Sequence, residues 1–300
     1  TSSAGFTTTD VTNAFTALLA AQPAYKFVHL VGAASSSASA ATMATTVDAQ
    51  CTLGFNSFKF FRAFIECPTS ESDATIAAAF ANFSSLRVGV WAGDFACISP
   101  ISGRILRRNQ AWVGLAVAAR EQPGTDIAGV LVDQQDIKTV NSLYRDEQAA
   151  GGVLDAARFC TMRTYTGLNG YYVTNGRMMA PGGSDYTYAY AGFVMDVACS
   201  VARAAELPYL NAGVRVNPTN ATNPGGIDER DAQKIESKVK ALLKSALVDT
   251  GNVTAVSYQI SRSQNIISTG QMPNTVGVTP LGYLRGITTT AGLQNPALGT

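Results

Sequence analysis

Three short apolar runs constrain this chain more than any other feature: Tyr25 to Val31 (YKFVHLV), Phe58 to Ile65 (FKFFRAFI) and Arg87 to Trp91 (RVGVW). Short runs rich in β-formers read as buried strands. Helix-length segments separate and follow them. Val11 to Ala20 predicts a helix with Asp10 placed to cap it and Val11, Phe15, Leu18 and Leu19 on one face. Ala33 to Gln50 is rich in Ala, Ser and Thr; its first half reads as loop and its second as helix. Ser70 to Phe83 predicts a helix with Asp73 at a capping-box position and Ile76, Phe80 and Phe83 on the buried side. Ala111 to Arg120 predicts another, ended by Pro123-Gly124. Strands and helices alternating in this way imply parallel strands joined by right-handed crossovers. The expectation is an α/β sandwich domain over residues 1–160.

Residues 161–300 change character and read as an α+β domain, making the chain α+β overall. Asn175-Gly176 lies between two β-rich stretches within Gly170 to Met179, a strong local hairpin signal. Tyr186 to Leu207 predicts a long helix closed by Pro208, and Asn217 to Gly226 a surface loop. Asp228 caps a helix to about Val248 whose apolar stripe is Ile235, Val239, Leu242, Leu243, Ala246 and Leu247. Gly251 stops it. Val253 to Ser261 alternates as a strand, and Thr275 to Thr288 is an extended apolar stretch.

Groups able to hold or move a proton are scarce. The one histidine, His29, sits inside an apolar strand and reads as a core or rim residue. There is no G-x-S-x-G elbow, no phosphate-binding glycine motif and no C-x-x-C, so no catalytic, metal or cofactor site is expected. Asp126, Asp133 and Asp136 do not match a calcium loop. Asp133 and Asp136 follow a strand-like run, where α/β enzymes place active sites, and they carry the alternative of a carboxylate-dependent hydrolase. Arg104, Arg107 and Arg108 form a basic cluster that reads as a solvated face or one side of a subunit contact.

Charged residues make up only 14% of the chain, against roughly 25% in typical soluble domains. A surface so poor in charge repels its neighbours weakly and suits packing among copies. The net charge of +1 gives no electrostatic footprint for nucleic acid. No apolar run approaches the ~18 residues of a bilayer span, so membrane insertion is not expected. The five cysteines, Cys51, Cys67, Cys97, Cys160 and Cys199, are odd in number and scattered, and read as thiols of a reducing cytosol.

Three stretches carry a resemblance: GYYVTNGRMMAPGGSDYTYAYAGFVMDVA (Gly170 to Ala198), GGIDERDAQKIESKVKALLKSAL (Gly225 to Leu247), and VSYQISRSQNIISTGQM followed by VGVTPLGYLRGIT. Residues 170–288 resemble sheath subunits of contractile phage tails and related contractile injection particles; the first residues, through Gly32, fit less specifically. One departure is Gly192, where an Arg is more typical. The resemblance implies a non-enzymatic virion protein made in a host bacterial cytoplasm. Its partners would be copies of itself in a helical array of rings, with tail tube and baseplate proteins. Contraction would drive the tube through a host envelope. In such assemblies an extended arm from one chain completes a sheet in another. The expected linkage segment is residues 276–288, with Val276, Val278, Leu281, Tyr283, Leu284 and Ile287 as contacts; an internal edge strand is the other reading of the same segment. The chain begins at Thr1 without Met, and the expectation is a sheath body lacking its N-terminal linking arm. A static virion or adhesion module is a further alternative.

Overall fold

A computed structural model describes residues 6–21, 25–32, 34–130, 137, 139–218 and 221–285. Helix α1 (Thr8–Ala21) begins ahead of the expected start. The cap is Thr7, not Asp10. Asp10 Oδ2 accepts from the Thr7 amide at 2.8 Å, and Thr7 Oγ1 accepts from the Asp10 amide at 3.2 Å. This reciprocal capping box puts Asp10 inside the first turn. Val11 and Phe15 are buried, as the periodicity requires.

Strands β1 (Phe27–Leu30), β2 (Arg62–Glu66) and β3 (Val88–Trp91) form a parallel sheet in that order, with α2 (Ser37–Asn56) and α3 (Asp73–Ala79) as the crossovers. Helix α2 corrects the loop expected after Ala33. Ser36 caps it, its hydroxyl accepting from the Ser39 amide at 3.1 Å, so the Ser/Ala segment is helical from Ser37. It also overruns to Asn56, and Phe58 leaves it through a left-handed φ of 59°. The second strand therefore starts at Arg62 rather than Phe58. Helix α3 is shorter than expected at both ends, capped by Ser72 at its start and closed at Phe80.

All five residues of β2 are buried, as a strand covered on both faces demands. Ala63, Ile65, Val88 and Val90 face a first core with α1, α2 and α3. Phe64 and Trp91 face a second core on the opposite side. After the sheet, β4 (Asp94–Ile98) and β5 (Ile105–Asn109) form an antiparallel hairpin that the sequence reading omitted. Helix α4 (Ala111–Arg120) has the expected bounds. Short β6 (Ser142–Leu143) pairs with β4, and α5 (Val153–Ala156) follows.

Strands β7 (Thr161–Tyr165) and β8 (Leu168–Asn175) form the next hairpin. Its turn is at Thr166-Gly167, with Gly167 at φ 84°, and Tyr165 opposes Leu168. Asn175-Gly176 is not the turn. Asn175 closes β8, its Nδ2 donating to Asp155 Oδ1 at 2.9 Å, and Gly176 does not take the positive φ that a tight hairpin requires.

Helix α6 (Ala189–Glu206) runs into a 3-10 turn (Leu207–Tyr209). Helix α7 (Glu229–Leu243) is capped by Asp228 and ends in a π-helical turn, Lys244–Val248. Ile235, Val239, Leu243 and Leu247 are buried, whereas Leu242 falls off the buried face and is 45% exposed. Strand β9 (Val253–Ile260), short helix α8 (Ile266–Thr269) and β10 (Asn274–Pro280) complete the described chain. A third core joins the later part of α6 to α7, β9 and β10. The overall fold is α+β.

The two halves share the second core, where Phe64 and Trp91 pack with Met162, Val173 and Phe193, and they also meet through charge. Arg62 of β2 is buried and places Nε 3.0 Å from Asp196 Oδ2 on α6. Its Nη2 donates to the Gly192 carbonyl at 2.9 Å. Arg87 Nη1 reaches the other Asp196 oxygen at 3.2 Å. A Cβ at position 192 would stand 2.0 Å from the Arg62 guanidinium carbon. Gly192 is thus the space into which a cation from the sheet inserts, which accounts for the departure seen in the sequence.

Candidate assembly surfaces

Strand β10 runs antiparallel to β9, with Val276 opposite Tyr258 and Val278 opposite Val256. Alternation sends both valines, half-buried, onto the third core. Their side chains are committed to their own body. What the ribbon offers outward is backbone: β9 and β10 form a two-stranded sheet, so each has an outer edge paired with no strand among the described residues. An unpaired edge is a template for another chain's strand.

The chain leaving β10 then folds back. Leu281 is half-buried and Leu284 is 90% exposed. The Tyr283 hydroxyl donates to the Gly124 carbonyl at 2.5 Å, and its ring meets Tyr190 edge-on at 4.8 Å. Arg285 lies 3.9 Å from the Tyr188 ring centroid, donates to Asn175 Oδ1 at 2.9 Å and pairs with the buried carboxylate of Asp126. Burial pushes the Tyr283 phenol upward in pKa. Tyr283 therefore ties β10 to the loops around Gly124 within one chain. Ile287 lies outside the described residues.

The three arginines do not converge. Arg107 and Arg108 are successive residues of β5 and so point to opposite faces. Arg107 pairs with Asp94 at 2.6 Å and lies 4.6 Å from the Tyr144 ring; Arg108 stacks on Trp112 at 5.6 Å. Arg104 is exposed in the turn before β5 and makes no ion pair among the described residues. No anion grip is formed.

Proton-handling groups are placed structurally. His29 Nε2 lies 3.1 Å from Glu66 Oε1 at the carboxyl end of the parallel sheet, and Glu66 Oε2 accepts from the Gly32 amide at 3.1 Å. Desolvation pushes the Cys51 and Cys67 thiols up to about 12 and holds the Lys26 ammonium down at about 8. Lys26 donates to the Ala118 and Glu121 carbonyls at 2.7 and 3.0 Å, joining β1's entry to the end of α4. Among the described residues no three His, Cys, Asp or Glu side chains converge to hold a metal. Asp133 and Asp136 lie outside the described residues. No described helix is long and apolar enough to cross a membrane.

Two features escaped the sequence reading. The Arg62–Asp196–Arg87 cluster was signalled only by charges in or beside apolar runs, FKFFRAFI, RVGVW and FVMDVA. The hairpin tip bearing Ile98, Ile101 and Ile105 was signalled by isoleucines spaced through a turn-forming stretch, ISPISGRI.

Solved structures share this fold. A chain of the anti-feeding prophage (AFP) baseplate, 6-fold symmetrised, aligns with a TM-score of 0.60 and 13% identity over 98% of this chain and 83% of its own. A chain of the PVC sheath complex of an extracellular contractile injection system, in the contracted state, aligns with a TM-score of 0.59 and 17% identity, covering 85% of this chain and 69% of its own. A chain of the AFP baseplate in the contracted state gives 0.58 and 13%, over 84% and 64%. At these identities the likeness is one of fold. No curated protein matches the chain in sequence. Residues 2–177, more than half of the chain, match the family described as DUF2586, N-terminal domain. The chain belongs to the DUF2586 family.

Proposed function

We propose that this chain is a structural subunit of a contractile tail or injection particle, of the sheath type. It assembles into a helical tube of rings around an inner tube and shortens to drive that tube through an envelope. The observation that carries this reading is the β9–β10 ribbon. It rests on its own core through Val276, Val278 and Tyr258 yet leaves two backbone edges open among the described residues. A strand from a neighbouring copy can add to such an edge, and main-chain hydrogen bonds made there survive while the rigid bodies reorient. The fold shared with contractile injection complexes and the low surface charge support the same reading. Tail tube and baseplate proteins are the proposed further partners, and the particle is the proposed location.

The test is electron microscopy of the protein, alone and co-expressed with candidate tail tube and baseplate proteins. Tubes or rings in two lattice states, extended and contracted, are expected. Particles that never polymerise and never co-purify with a tube would remove the reading. Assembly in a single lattice state would favour a static structural module instead.

A further inference from the structure

The β4–β5 hairpin ends in an apolar knob. Ile98 is 55% exposed, Ile101 96% and Ile105 62%. The turn beneath them is ordered by its own hydrogen bonds. Ser99 Oγ accepts from the amides of Ile101 and Ser102 at 3.3 and 3.2 Å. The Ser99 carbonyl accepts from the Gly103 amide at 2.9 Å, and the Ser99 amide donates to the Arg104 carbonyl at 2.9 Å. A tip already held in one shape loses little conformational freedom on docking. Three isoleucines held out in water on a preformed turn are surface built for contact.

A groove elsewhere on the same chain sets exposed apolar side chains among polar ones, Asn211, Gln271 and Asn274. Its walls are the 3-10 turn at the end of α6, with Leu207, Tyr209 and Leu210, and the segment from Ile266 to Asn274, including Met272. Leu207 is 47% and Leu210 65% exposed. No hairpin residue lines this groove. The half-buried Glu206 carboxylate lies in it and spends Oε1 on the Tyr258 hydroxyl at 2.9 Å. Arg203, its guanidinium carbon 4.0 Å from the Phe58 ring centroid, also lines the groove.

We infer that the isoleucine knob of one copy seats in the Leu207–Leu210–Met272 groove of the next, with Arg104 beside Ile105 reaching Glu206. The knob and the groove are different patches, so the contact is heterologous. Such a contact closes a ring or propagates a helix rather than stopping at a two-fold dimer. The inference deepens the assembly reading by naming a body-to-body contact in addition to strand exchange.

A mixing experiment tests it. Ile101→Asp and Leu210→Asp change exposed side chains, so both variants are expected to keep the wild-type circular dichroism spectrum and melting temperature. The wild-type chain should self-associate with rising concentration in sedimentation velocity, and each variant alone should lose that association. Mixed together, the two should form a capped 1:1 dimer, because the first keeps its groove and the second its knob. Arg104→Glu should weaken wild-type association, and pairing it with Glu206→Arg should recover it. A monomeric wild type, variants that associate like wild type, or a mixture that stays monomeric would each overturn the contact. Tubes formed by Ile101→Asp full-length protein would reject the knob while leaving the sheath reading standing.

Discussion

Arg62 on the central strand and Asp196 on α6 lie 3.0 Å apart, both almost wholly buried, and Arg87 shares the same carboxylate at 3.2 Å. Burial alone would pull the Arg62 guanidinium down in pKa; the Asp196 charge opposes that. Removing one partner of such a cluster strands charge inside the protein. Asp196→Ala should therefore destabilise the fold by about 3–5 kcal/mol, read from urea unfolding.

Gly192 provides an independent check on that geometry. Ala in place of Gly within a helix ordinarily gains roughly 0.5–1 kcal/mol. Here the added methyl meets the Arg62 guanidinium at 2.0 Å. Gly192→Ala should lose about 1–3 kcal/mol instead, as overpacking does. A neutral or stabilising result would mean that the guanidinium does not occupy that space.

Val278 separates side-chain from backbone roles at the C-terminal ribbon. Its side chain packs on the third core, so Val278→Asp should lower monomer stability by about 2 kcal/mol and not merely block assembly. The exposed Thr279→Lys should leave the monomer melting temperature unchanged while hindering any strand that pairs along the open edge. Differential scanning calorimetry and electron microscopy together distinguish the two.

The acid side of stability should report Asp231. Hydrogen bonds from the Arg215 side chain and amide hold its carboxyl at about 2, below the ordinary 3.8. The folded-state pKa is depressed, so the stabilisation is complete above the unfolded value and fades as pH falls through the folded one. Asp231→Asn should melt earlier than wild type at neutral pH, and the gap should close between about pH 4 and pH 2.

Thiol chemistry gives a map of burial. Cys51, Cys67 and Cys160 are buried, whereas Cys97 and Cys199 are half-buried; desolvation raises the thiol pKa of the three buried residues and of Cys199. Alkylation of the native chain at pH 8 should be confined to Cys97 and Cys199, and denaturant should open all five, as read by peptide mass spectrometry. Labelling of Cys51 as fast as Cys97 would contradict this core.

Local pattern determined a good part of this protein. The runs around Phe27–Leu30, Arg62–Glu66 and Val88–Trp91 were legible as buried strands because a sheet covered on both faces needs unbroken apolar sequence. Their parallel arrangement followed from the helices between them, and α4 and α7 were legible from their caps, stops and stripes. Caps chosen among several nearby Ser, Thr and Asp residues were not, since Thr7, Ser36 and Ser72 prevail only through the turns they close. Nor was the turn at Gly167, which the stronger local signal at Asn175-Gly176 masked until pairing across the sheet decided the register. The assembly surfaces depended most on tertiary structure. Whether Val276 faces a neighbour or its own core, whether Arg107 and Arg108 act together, and why position 192 is Gly are questions of distance between segments far apart in the chain. A linear pattern records which residues are apolar or charged; only packing brings Arg62 to Gly192 and Tyr283 to Gly124.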